Sequence, residues 1–111
     1  MAGAIAFVWY PHPQDVEVFE KVYAGEHLPM AGPILAAAGA QKAVLRRLSL
    51  SPLGKPLFYR VAEIHFPSVE KLNAALASSE VQKAVAHANQ ISTGGPVVLM
   101  VTAEEAKTVI F

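Results

Sequence analysis

The chain has no cysteine, so disulfides, thiolate nucleophiles and zinc–thiolate centres are excluded. Charge is scarce. Only 16 % of the 111 residues are Asp, Glu, Lys or Arg, and nine basic residues balance nine acidic ones to a net charge of zero. The absence of a basic block argues against nucleic acid as a partner. The apolar run from Ala4 to Tyr10 has no charged segment before it and stops at Pro11. It is too short to span a bilayer and reads as a strand, not a signal peptide. These absences lead to the expectation of a soluble, cytoplasmic protein with no membrane partner. Phosphate loops, nucleophile elbows and dinucleotide fingerprints are missing too.

What the chain has in plenty is hydrophobic residues, at 53 %. That exceeds what one small core needs, so the surplus is expected to face a second subunit or line a ligand cavity. The length suits a single domain, 1–111.

The stretch Tyr23-Ala-Gly-Glu-His27-Leu-Pro-Met30 organises the rest. In the helix that Asp15 can cap, Val16, Phe19, Tyr23 and His27 recur at intervals of three, four and four and share one face. A phenol and an imidazole therefore point into the core. Pro29 disfavours helix at Leu28, so the chain is expected to turn just after His27. The plain alternative is a buried histidine satisfied by one backbone hydrogen bond.

Gly3 to Tyr10 is a strand apolar on both alternating sets, hence covered on both faces. A short helical piece, Ile34 to Ala38, is expected to stop at Gly39. Ala40 to Leu50 reads as strand two, and Leu57 to Phe66 as strand three, across a loop rich in proline and glycine. Ser68 caps a helix with the stripe Val69, Leu72, Ala75, Leu76. Ser79-Glu-Val-Gln82 fits a capping box for another helix, with the stripe Val81, Ala84, Val85, Ala88; His87 lies off that stripe and is read as solvated. Val97 to Thr102 is strand four.

The order β-α-β-β-α-β predicts an α+β, ferredoxin-like fold: one four-stranded antiparallel sheet with helices on one face. The other face would stay wet unless a second sheet packed on it. A homodimer with two-fold symmetry follows, built as a dimeric α/β barrel. The apolar tail Thr108 to Phe111 could lie across the partner.

These residues resemble the EthD family of dimeric α/β-barrel proteins. The matching features are Tyr10-Pro11, then Tyr23-x-x-x-His27-x-Pro29-Met30, then Ala62-Glu63-Ile64-x-Phe66-x-Ser68-Val69-Glu70, and Asn89 shortly before the last strand. The Tyr-x-x-x-His-x-Pro segment is the most specific piece. The resemblance implies the same fold and dimer. It implies little about activity: the founding member is tied to degradation of an alkyl ether fuel additive. Related barrels include cofactor-free monooxygenases, lactone isomerases, polyketide cyclases and haem enzymes. Fold alone does not choose among these.

With the Phe66 set of strand three turned toward the helices, Ala4, Ala6 and Ala62 leave room on a layer lined by Phe58, Ile64 and Phe66. The alternative is that the alanines simply allow close helix packing. In the cavity reading His27 is the general acid or base and Tyr23 a hydrogen-bond donor to a carbonyl or anionic intermediate. Tyr10, Arg60, Ile64, Phe66 and Asn89 are the candidate substrate-binding residues. Arg60 could pair with a carboxylate or phenolate, or simply snorkel from the strand edge. Glu63 and His65 fall on the other face and read as a specificity device for the dimer. A metal shared by His27, Glu63 and His65 is disfavoured by their opposite faces.

Three functions remain open at this point. The first is a cofactor-free enzyme of monooxygenase, isomerase or cyclase type on a small apolar carbonyl or phenolic compound, with no cofactor and no metal. The second is a non-catalytic ligand-binding or accessory protein of a degradation pathway. The third, less favoured, is a haem-binding barrel.

Overall fold

A computed structural model describes residues 3–103 and 106–111. Strand β1 (Ala4–Pro11) leads to α1 (Val16–Val22) and, through a π-helical turn (Tyr23–His27), to α2 (Leu28–Ala37). Strands β2 (Lys42–Arg47) and β3 (Phe58–Phe66) follow, then α3 (Val69–Ala77), α4 (Ser79–Ile91) and β4 (Val98–Ala103). The four strands form one sheet in the order β2-β3-β1-β4, antiparallel at every pairing. This is the expected α+β arrangement, with the helices against one face. No described helix is long and apolar enough to cross a membrane.

Local chemistry sets most element ends. The Asp15 carboxylate accepts the Val18 amide at 3.0 Å and opens α1. The Ser68 hydroxyl accepts the Lys71 amide at 3.1 Å and opens α3. The cap of α4 is Ser78, one residue before the expected Ser79; it accepts the Val81 amide at 3.2 Å. Gly39, at φ 106°, stops α2 as expected, and the next amide returns to the Leu35 carbonyl.

The expected break after His27 does not occur. The helix continues into α2 because it first widens: the Leu28 amide donates to the Tyr23 carbonyl, five residues back. Two physical reasons favour that turn. Pro29 has no amide proton, and its ring would crowd the carbonyl four residues back; a wider turn relieves both. Phasing also demands it. Phe19, Tyr23, His27, Ala31 and Leu35 recur every four residues, and all are buried or packed on the core. In a 3.6-residue helix each such step drifts about 40°, or about 160° from Phe19 to Leu35. The π turn absorbs one residue's worth, about 100° of that drift, and keeps one stripe facing the sheet.

The two faces of the sheet are set by β1. Ala4, Ala6 and Tyr10 are buried beneath the helices with Ala62, Ile64 and Phe66. Ile5, Phe7 and Trp9 share the other face with Val61, Glu63, His65 and Met100. No helix among the described residues covers that second face, and Met100 on it is 60 % exposed. One detail departs from simple alternation. The β1–β3 register shifts at its end, where Tyr10 pairs with Arg60 and Pro11 with Phe58. Tyr59 therefore turns inward, its ring 5.8 Å from Phe19, while Phe58 turns outward, 5.5 Å from Trp9. The expectation that Phe58 lines the helix side is corrected by this bulge.

Candidate active site

Between the sheet and α2, α3 and α4 lies a cavity of about 290 Å³. Its walls are almost entirely hydrocarbon. Seven alanines line it, Ala6, Ala62 and Ala88 among them, so the small residues do leave space. Among the described residues three polar side chains reach it, Tyr10, Tyr23 and His27, and no charged one does. A larger groove of about 800 Å³ lies under the loop between β2 and β3. Its wall includes Leu50 and Leu53, 88 % and 100 % exposed, so it is open solvent space. The enclosed cavity, with buried polar groups in its wall, is the candidate site.

The helix from α1 to α2 carries two of the polar side chains of the cavity, Tyr23 and His27. Phe19, Tyr23 and His27 form a column of near-parallel rings, with centroids 5.4 and 5.9 Å apart. Tyr10 stands edge-on to all three. Its hydroxyl lies 3.2 Å from His27 Nε2. On the far side His27 Nδ1 lies 3.0 Å from Nδ1 of His87 on α4. His27 is thus held by two side chains, not by the backbone bond that a purely structural histidine was expected to use.

Burial and the neighbouring His87 depress the His27 pKa to about 4, so the ring is neutral at physiological pH. Burial raises both Tyr10 and Tyr23, which stay protonated phenols. The Tyr23 hydroxyl is buried and has no hydrogen-bond partner among the described residues. An orphaned phenol in a hydrocarbon wall is costly unless something else satisfies it.

The sequence candidates divide. Tyr10, Tyr23, His27, Ile64 and Phe66 all line the cavity. Arg60 does not. Its guanidinium grips Glu20 through two bonds of 2.9 and 2.6 Å and lies 5.0 Å over the Tyr23 ring. That bond holds the Glu20 carboxyl below its ordinary range. Asn89 does not reach the cavity either; its side-chain oxygen accepts the Val97 amide at 3.0 Å and ties the end of α4 to β4. His87, expected in solvent, is half-buried against His27. Its place was legible in spacing: it lies three residues after Ala84 and four before Ile91, both buried.

Glu63 and His65 sit on the uncovered face, 3.8 Å apart, with Arg46 bonded to Glu63 at 2.9 Å. Among the described residues no cluster of three or more His, Asp or Glu could hold a metal ion.

No protein-family model matches the sequence. An uncharacterised 11.0 kDa protein of Rhodococcus erythropolis, from the thcB–thcC intergenic region, is 30 % identical over 96 residues, covering 86 % of this chain and 89 % of that one. An EthD family protein of Bacillus halodurans has the same fold at TM-score 0.75 and 23 % identity, over 90 % of this chain and 96 % of that one. The chain and the Rhodococcus protein belong to one family, and the fold is that of EthD family proteins. At fold level the chain is also similar to a dimeric ferredoxin-like protein of unknown function from Jannaschia, at TM-score 0.67 and 9 % identity over 89 % and 97 % of the two chains. SnoaB, a cofactor-independent oxygenase from Streptomyces nogalater, matches at TM-score 0.57 and 15 % identity over 98 % and 96 %.

Proposed function

We propose that this protein is an EthD-like, cofactor-free enzyme acting on a small, uncharged carbonyl or phenolic compound. The observation that carries the reading is the orphaned Tyr23 hydroxyl beside neutral His27 in a wall otherwise made of hydrocarbon. The cavity has the volume of about ten liquid waters. It offers a ligand one free hydrogen-bond donor and no counter-ion, so a carboxylate or phosphate has no place there.

The chemistry this supports is proton transfer. His27 Nε2 accepts a proton from an acidic carbon or a phenol, giving an enolate or phenolate. The Tyr23 hydroxyl donates to the oxygen that gains charge. That step is common to isomerisation, cyclisation and oxygenation of such compounds. SnoaB supports the reading to the extent that a cofactor-independent oxygenase uses this fold.

The binding-protein reading keeps one specific observation in its favour: both His27 nitrogens are already bonded within the protein. The same bonds make haem the poorest fit, because neither nitrogen is free for iron and the cavity is smaller than a porphyrin. As the quaternary counterpart, two copies are proposed to pack through the uncovered faces. The partner would satisfy the buried His65 Nε2, which lacks a hydrogen-bond partner.

Native mass spectrometry for a co-purified neutral ligand, followed by turnover of that compound, tests the function. His27→Gln should keep the fold and bind the ligand but lower turnover by about 100-fold or more. Unchanged turnover would leave binding alone as the function.

A further inference from the structure

His27 and His87 meet nitrogen to nitrogen. Their ring planes differ by 8°, the centroids are 5.2 Å apart, and the two Nδ1 atoms are 3.0 Å apart. Near-parallel rings with those two distances cannot overlap face to face. They lie edge to edge, in the geometry of an in-plane N–H···N hydrogen bond. One proton is shared between the two nitrogens, so one imidazole donates and the other accepts. The hydroxyl of Tyr10, 3.2 Å from His27 Nε2, sets which: with the phenol as donor to Nε2, the His27 proton is on Nδ1. His87 Nδ1 then accepts, and His87 carries its own proton on Nε2. That nitrogen has no protein partner among the described residues and is not buried. Tyr10, His27, His87 and solvent thus form one continuous hydrogen-bonded line.

We propose that His87 is the positioning residue and proton outlet of His27. It fixes the tautomer that turns the Nε2 lone pair toward Tyr10 and the cavity, and it exchanges protons between His27 and water. In one transfer Nε2 of His27 gains a proton and its Nδ1–H bond breaks. That proton forms a new N–H bond at His87 Nδ1, and His87 releases its Nε2 proton to water. One proton has crossed from cavity to solvent, nothing is oxidised, and His27 ends neutral in its other tautomer. The reverse sequence resets the pair. This arrangement resolves a conflict in the site: a histidine too buried to hold a charge can still serve as a base if it passes the proton on. The inference rests on the reading of His27 as the proton-handling group, and goes beyond it by giving α4 a part in the chemistry.

The test uses ligand-free protein with isotope-labelled histidine and long-range nitrogen–proton correlation near neutral pH. The expected result is a scalar coupling between the two Nδ1 atoms, with His27 in the Nδ1–H tautomer. His87→Asn keeps an acceptor at that position but cannot relay. It should preserve the tautomer while exchange of the His27 ring proton with water slows about tenfold. His87→Phe removes the acceptor and should shift His27 toward the Nε2–H tautomer. No coupling in the unaltered protein overturns the proposal even if both variants fail to fold. Unslowed exchange in folded His87→Asn, or an unchanged tautomer in folded His87→Phe, overturns it equally. No substrate enters these measurements, so an enzyme reading that failed would show as absent turnover with the coupling intact.

Discussion

The two faces of strand β1 do opposite jobs with the same backbone. Its inward residues are mostly small: Ala4, Ala6 and Val8, ending in Tyr10. Its outward residues are large: Ile5, Phe7 and Trp9. Along β1 the inner face is roofed by helices yet keeps an open volume; the outer face has the bulk and no helix over it among the described residues. Size therefore marks purpose here. Small side chains stand where the cavity opens, and large ones on the face that no described helix covers.

The sharpest way to break this contrast is to charge the large side. Phe7→Asp should cost about 3–5 kcal/mol if a partner sheet buries it, because the carboxylate would be desolvated without a counter-ion. Sedimentation with circular dichroism should show loss of the dimer together with the fold. The same charge at Val18, 53 % exposed on α1, should change stability by less than about 0.5 kcal/mol. A folded Phe7→Asp monomer would show that the outer face is not the dimer surface.

The inner side should respond to acid. His27 binds its proton with a pKa of about 4 when folded, against an ordinary value of 6.5 when unfolded. The unfolded chain therefore takes up the proton first as pH falls. Stability from the neutral imidazole is intact above about 6.5 and is lost progressively toward 4, by about 3 kcal/mol in all. Denaturant midpoints measured across that window should fall, and His27→Gln should flatten the fall. An equal slope in the variant would locate the acid sensitivity elsewhere.

A smaller effect has the opposite sign. Tyr23→Phe deletes an unsatisfied hydroxyl, so the ligand-free protein should gain about 1 kcal/mol in thermal or chemical melting. The same variant should bind or turn over its ligand less well. A loss of stability would mean that the hydroxyl is already satisfied and is not waiting for a ligand. The smallest change is expected at the Arg46–Glu63 pair, where Arg46 is 59 % exposed. Arg46→Ala should cost about 0.5 kcal/mol in an isolated subunit. A clearly larger cost would place the pair beneath a partner.

Much of this was legible because period and composition act locally. The strand alternation correctly turned Ala62, Ile64 and Phe66 toward the helices, and Gly39, Asp15 and Ser68 marked ends by their own backbone chemistry. What stayed hidden needed contacts distant in sequence. The bulge that exchanges Phe58 and Tyr59 depends on how β1 meets β3. Arg60 was offered to a substrate because Glu20, forty residues away, does not announce itself as its partner. His87 reads as solvated because it lies off the stripe Val81, Ala84, Val85, Ala88; the stripe extends to the buried Ile91, four residues on, and His87 stands at its edge. The helix break at Pro29 failed because a proline rule written for regular α-helix does not hold where the turn is wider.

That wider turn makes the site sensitive to chain length as well as to side chains. A π turn is a helix carrying one residue more than its pitch can use. Gly25, within it, has open space around its Cα, so no contact would resist its removal. Excising that one residue would let α1 and α2 join as regular helix, with Phe19, Tyr23, His27, Ala31 and Leu35 at intervals of four, three, four and four and still on one face. What would change is the turn itself: His27 would draw closer to Tyr23, and Pro29 would crowd the carbonyl of Ala24 in a turn of ordinary width. The extra residue is slack in the helix, and where that slack falls sets the spacing of the candidate site.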